Sequence, residues 1–180
     1  MIKYILILLL FALPATAEQS FGVSALRIDQ ELFGTIHFKH AAFTLNYSYI
    51  TDYNVGIKLS LGKSNEVPNS LPFNGKTYMN EITQYRQITM FYRYKLNDKW
   101  SIEPSFGHVY YKTKWKVNGK EPHWSNNSDS DVTTAVMAVY QPNKNWAYHA
   151  GYNWLYIKYK EGFGKEQTSS YEVGVSYVFN

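Results

Sequence analysis

The chain contains no cysteine. That excludes a disulfide scaffold, a thiolate metal site and a cysteine nucleophile. Charge is scarce. Asp, Glu, Lys and Arg make up 18% of the residues, and the net charge of +4 is too mild to point to nucleic acid. Long hydrophobic runs are also missing. The longest lies at the N-terminus and is about half of the roughly 20 residues that a membrane-spanning helix needs, so a helical membrane protein is excluded. What is present is aromatic and β-prone. Of 180 residues, 45% are apolar, which argues against disorder. Aromatics are 18%, with 17 tyrosines, and mean hydropathy is -0.38. A Tyr-rich, Thr/Ser-rich chain of this length fits one β domain.

The N-terminus reads as a secretory signal. Lys3 supplies a positive start, Tyr4 to Leu13 a short apolar core, and Ala15-Thr16-Ala17 a small-residue cleavage site. Residues 1–17 are therefore expected to be removed, leaving 18–180 as the exported domain.

Three short polar turns punctuate that domain: Thr51-Asp52-Tyr53-Asn54, Asn97-Asp98-Lys99 and Asn143-Lys144-Asn145. Asn and Asp favour turns because their side chains bond nearby backbone. Between the turns lie longer polar stretches near 29–39, 65–81, 118–131 and 161–169, which are expected to be loops. Alternation of short turn and long loop puts all turns at one end of an antiparallel sheet and all loops at the other, as in outer-membrane barrels.

The segments between alternate with a period of two, the signature of a strand with two unlike faces. Phe43, Leu45, Tyr47 and Tyr49 alternate with Thr44, Asn46 and Ser48. Ile88, Met90, Tyr92 and Tyr94 alternate with Thr89, Phe91, Arg93 and Lys95. Trp146, Tyr148, Ala150, Tyr152 and Trp154 alternate with Ala147, His149, Gly151 and Asn153. Tyr171, Val173, Val175, Tyr177 and Phe179 alternate with Glu172, Gly174, Ser176 and Val178. The phase within 101–117, 132–142 and 20–29 stays open. Lys58, Arg93, Lys95, Glu103 and Glu172 share the small, polar face with Gly56, Gly107 and Gly174, as a narrow lumen requires. Tyr47, Tyr49, Tyr94, Trp100 and Trp146 gather near strand ends, as interfacial girdles do. At about 10 membrane residues per strand, eight strands fit, and an eight-stranded interior is filled by side chains. A diffusion pore is excluded. The expected fold is thus all-β, an eight-stranded antiparallel transmembrane barrel.

The segments Ala41–Tyr49, Tyr92–Ile102, Pro142–Tyr148 and Gly174–Phe179 resemble strands and turns of the Ail/OmpX outer-membrane proteins. The resemblance covers about 40–180. The first strand and the loops match poorly. It implies surface adhesion, host interaction or stress-related surface roles. Gly174, Tyr177 and Phe179 also have the spacing that the barrel-assembly machinery reads on a closing strand, although Asn180 follows the final aromatic.

The loops offer candidate sites. Lys112, Lys114, Lys116 and Lys120 climb one strand end with Trp115 among them, and Lys158, Lys160 and Lys165 another. Such ammonium rows suit lipopolysaccharide phosphates or a sulfated polyanion of a host extracellular-matrix or cell-surface molecule. Phe33, Phe38, Phe73, Tyr78, Trp124 and Phe163 are expected loop aromatics, with Trp115 and Trp124 as binding anchors. His123-Trp124-Ser125-Asn126 matches the short string of lipid A deacylases, the one enzymatic alternative. His37-x-x-His40 is a spare metal pair. Neither carries a cofactor or a catalytic assignment, and a structural envelope role is the third class. Lys58, Arg93 and Lys95 facing Glu103 and Glu172 are expected to form a salt-bridged plug, since unpaired lumen charge is costly. A monomer is expected.

Overall fold

The computed structural model describes residues 17–32, 36–68, 75–120, 126–158 and 165–179. Among them run eight long strands: β1 (Glu18–Leu32), β2 (Ile36–Ile50), β3 (Val55–Ser64), β4 (Tyr78–Tyr92), β5 (Trp100–Val117), β6 (Asn126–Tyr140), β7 (Trp146–Lys158) and β8 (Lys165–Phe179). Each pairs antiparallel with the next, and β8 closes on β1 from Gln19 opposite Phe179 to Glu31 opposite Gln167. Two short strands, Val67–Pro68 and Tyr94–Lys95, extend the ladders of β4 and β5. The result is a closed eight-stranded antiparallel barrel, which leaves no exposed sheet edge.

The period of two sets the wall. Along β1, Phe21 and Val23 face out while Ser24, Leu26 and Ile28 are buried. Large apolar side chains cover the outside, with Phe43 at 72% and Phe106 at 61% exposure. A surface this apolar is stable only against lipid. Aromatic pairs ring its lower end. Trp100 lies 4.7 Å from Tyr140, and Trp146 meets Tyr177 edge-on at 5.3 Å. On β5, the strand of open phase, odd residues point in and even residues out. A bulge at Thr83 shifts the phase of β4, so Ile82 and Tyr85 are both buried.

Two of the three periplasmic turns share one device, while the Thr51–Asn54 turn is closed by Thr51, whose backbone N–H and hydroxyl both donate to the Val55 carbonyl. Asn97 Oδ1 accepts from the backbone N–H groups of Lys99 and Trp100, both at 2.9 Å. Asn143 Oδ1 does the same for Asn145 and Trp146, at 2.9 and 3.0 Å. An Asn carbonyl capping a turn two and three residues on explains why these short turns recur.

The long polar stretches are shorter as loops than expected. β1 and β2 run through most of 29–39, β6 begins at Asn126 and β8 at Lys165. Register continues there because these residues still find cross-strand partners, and polarity alone does not end a strand that has left the membrane. About 9–11 residues cross the bilayer. The 18 residues of β5 therefore rise well above it. At its top, Val117 and Lys120 exchange backbone bonds of 2.8 and 3.0 Å around Asn118-Gly119. Both central residues have positive φ, 47° and 78°, which this tight reversal demands and which Asn and Gly tolerate.

Candidate functional site

The lumen divides into two stacked regions. Near its middle, Glu172 is buried at 4% exposure and collects four partners. Lys58 Nζ donates to its Oε1 at 2.8 Å and Ser24 Oγ at 2.9 Å, while His149 Nε2 lies at 3.3 Å. Asn153 Nδ2 donates to Oε2 at 3.2 Å. Asn46 Nδ2 donates in turn to Ser24 Oγ at 2.6 Å. Nearer the periplasmic mouth, Arg93 Nε donates to Glu103 at 2.6 Å and its Nη1 to Glu18 at 2.5 Å. Between the two clusters a cavity of about 40 Å³ is lined by Ser20, Asn46, Lys58, Arg93 and His149 among others. That is room for a few waters and no more. Gly56 lets the Phe91 ring lie across this level, because any Cβ there would overlap the ring.

Lys58, Arg93, Glu103 and Glu172 therefore meet in ion pairs inside the barrel. Lys95 does not. It sits on the short strand at a periplasmic turn and is exposed, because its inward phase begins below the barrel's end. The sequence reading missed Glu18, Ser24, Asn46, His149 and Asn153. Their signal was present in the inward phase of His149 and Asn153 with Gly151.

Ser24, His149 and Glu172 have the composition of a nucleophilic triad, but the geometry differs. Ser24 Oγ contacts His149 Nε2 at 2.9 Å, and Glu172 reaches the same nitrogen. Ser24 has one hydrogen, and its donation to Glu172 leaves none for the imidazole to take. A relay needs the carboxylate on the opposite ring nitrogen.

The upper lumen holds no ion pair among the described residues and is filled mainly by apolar packing, with Gln30, His40, Ser64, Asn80 and Thr113 buried among it. Leu26, Ile28, Ala42, Ile82, Tyr85, Val109 and Tyr111 form one buried cluster. Above it Phe38, Val67 and Trp115 form another, with Tyr78 packed against them. Trp115 meets Phe38 edge-on at 5.3 Å and donates Nε1–H to Thr113 Oγ1 at 3.2 Å. Trp115 and Phe38 are thus core residues, not loop anchors. Their inward phase on long strands buries them. His37 and His40 fall on opposite faces of β2, His37 exposed and His40 buried, so they cannot share a metal. No metal-binding cluster exists among the described residues.

Outside, Lys112, Lys114 and Lys116 line the outward face of β5 in a row, and Lys120 is exposed at the tip. Lys116 Nζ pairs with Glu66 at 2.5 Å. Lys165 and Lys158 are register partners at the top of β7 and β8. Lys160, Phe33, Phe73, Phe163 and the stretch His123-Trp124-Ser125 lie outside the described residues. On the closing strand, Gly174 faces in while Tyr177 and Phe179 face the membrane.

No protein-family model and no curated protein matches this chain. Solved structures do. Ail, the attachment invasion locus protein of Yersinia pestis, aligns at 16% identity and TM-score 0.64, covering 91% of this chain and 99% of its own. A second Ail structure, in complex with the heparin analogue sucrose octasulfate, aligns at 15% and 0.63 with the same coverage. Neisserial surface protein A aligns at 12% and 0.61, covering 88% and 96%. With its closed lumen and lipid-facing wall, the chain has the fold of the Ail-like eight-stranded outer-membrane β-barrels.

Proposed function

We propose that the chain is a monomeric, non-catalytic surface barrel that binds polyanions at its extracellular end, in adhesion to host molecules or in protection of the cell surface. The observation that carries this reading is the row of Lys112, Lys114 and Lys116. Their outward phase on β5 presents three ammonium groups along one line, with Lys120 beyond them. Sulfated glycans carry anionic groups in such lines, and the Ail structure with a heparin analogue is consistent with that chemistry on this fold. In this reading residues 1–17 direct export and are cleaved, and the barrel-assembly machinery reads Gly174, Tyr177 and Phe179 on β8. Against catalysis stand two donations among the described residues: Ser24 gives its hydroxyl hydrogen to Glu172, beside His149, and Ser64 gives its own to the Asn65 carbonyl, beside His40.

The test is binding of the reconstituted barrel to a heparin-type glycan. Replacing Lys112, Lys114 and Lys116 by Gln should weaken binding at low salt, and the difference should shrink as salt rises. Binding unchanged at low salt would overturn the reading. A lipid A mass spectrum altered by expression of the protein would instead establish the deacylase alternative.

A further inference from the structure

The lower lumen does not balance its own charge. Among the described residues its carboxylates are Glu18, Glu103 and Glu172, and its permanent cations are Lys58 and Arg93. Lys58 matches Glu172. Arg93 is shared. Its Nη1 serves Glu18 and its Nε serves Glu103, so this pair of carboxylates is one positive charge short. The shortfall lies largely out of water, with the Arg93 and Glu103 side chains at 11% and 13% exposure. Charge withdrawn from water without a full set of partners is costly.

The other titratable group lining this level is His149. Its Nε2 is engaged by Ser24 and Glu172. A proton there would add charge beside a carboxylate that Lys58 already neutralises, and not beside the Arg93 pair. Lys95 is exposed on its short strand and does not reach the mouth. The missing cation therefore has to come from elsewhere in the chain.

Glu18 opens β1. It pairs with Ile50 at the foot of the β1–β2 ladder, and its side chain lines the cavity at the mouth. A leader cleaved after Ala17 makes Glu18 the first residue of the mature chain. Hydrolysis breaks the Ala17–Glu18 amide. The oxygen of water goes to the Ala17 carbonyl, which leaves with the leader as a carboxylate. The Glu18 nitrogen takes the two hydrogens and becomes an ammonium at neutral pH. Only Cα, Cβ, Cγ and Cδ separate that nitrogen from the Glu18 carboxylate oxygens. The new charge is thus delivered to the Arg93 cluster by covalent geometry, on a residue that β1 already orders.

We propose that the α-ammonium of processed Glu18 is the missing cation of the lower lumen, so that removal of the leader completes the charge cluster of Glu18, Arg93 and Glu103 at the periplasmic mouth. The inference rests on the reading of residues 1–17 as a cleaved leader. With the leader attached, Arg93 serves two carboxylates alone and the mouth is less firmly held. Processing and closure of the barrel are then linked, as where removal of a pro-segment resets a structure.

The experiment uses the mature chain, 18–180, freed from a cleavable tag so that Glu18 is its first residue, and folded in phosphatidylcholine bilayers. One sample keeps the free amine. The other is acetylated at the α-amine alone, as verified by mass. At pH 6.5 acetylation should shift the folding equilibrium about fivefold toward the unfolded chain, read from urea unfolding. In Glu103→Gln the charges balance without the ammonium, and acetylation should shift the equilibrium less than about twofold. No shift in the wild type, or equal shifts in both backgrounds, would overturn the proposal. Should Glu103→Gln fail to fold, pH decides on the wild type. The difference between free and acetylated chains should vanish by about pH 10, where an ordinary α-amine is neutral. Glu18, Lys58, Arg93, Glu103 and His149 face the mouth in both samples, so their own titration cancels. A difference that persists there overturns the proposal. Intact mass of the protein taken from outer membranes tests the leader separately. A mature chain that begins anywhere but Glu18 sinks the cleavage reading and the proposal with it. Silent acetylation of a chain that does begin at Glu18 sinks the proposal alone.

Discussion

The lower and upper halves of the lumen close the same tube by opposite means. Below, charge is brought in and neutralised. Glu172 takes donors from β1, β3 and β7, and Arg93 bridges Glu18 and Glu103. Above, uncharged packing does most of the filling, with Trp115 and Phe38 at the top and the neutral polar groups of Gln30 and Asn80 buried among them. The contrast follows from what each filling must satisfy. The lower lumen holds polar groups that fix one another's positions, and each depends on the others. The upper lumen depends on volume. Ion pairing makes a specific closure with a large penalty for a missing partner, whereas packing makes a closure whose damage scales with the space left.

Breaking a single partner below should cost most. Glu172→Leu leaves Lys58 without its ion-pair partner, and roughly 3–5 kcal/mol of stability should be lost. Urea unfolding in bilayers measures it. The paired change Lys58→Met with Glu172→Leu should recover most of that loss, and a double variant as unstable as the single one would contradict the ion-pair account. Next is Trp115→Ala, which should cost about 3 kcal/mol by the cavity it opens, with Trp115→Phe costing far less. If the two substitutions cost the same, volume is not what the upper half supplies. At the periplasmic mouth, Arg93→Gln should cost about 1–2 kcal/mol, less than Glu172→Leu, because Glu18 can rehydrate. Smallest is Lys112→Gln on the outer face. Stability should stay within about 0.5 kcal/mol even where polyanion binding drops. A larger stability loss would make the ladder part of the barrel's own packing.

The wall was legible in the sequence because strand parity is local. Phe43 to Tyr49 and Trp146 to Trp154 carry their own phase, and the Asn97 and Asn143 turns their own caps. Parity also held the answer for Trp115 and His40. Trp115 is odd where Lys112, Lys114 and Lys116 are even, so those lysines could not share its face. Leaving the phase of 101–117 open hid that. The pairing of Lys58 with Glu172 was not legible atom by atom. Those residues are 114 positions apart, and their contact depends on β1 closing against β8 and on Ser24, Asn153 and His149 filling the gaps. The bulge at Thr83 was equally invisible, since nothing in Ile82-Thr83-Gln84 marks it.

The central claim is that both halves of the lumen are shut, so that whatever the protein binds it binds on its outside. Planar-bilayer recording tests this most directly. Wild-type barrel in concentrated KCl should insert without stepwise conductance, and so should the Lys58→Met, Glu172→Leu double variant, because the packed upper half alone still seals the tube. Steady, reproducible conductance steps from the wild type would contradict the account and return the lumen to consideration as the working part of the molecule.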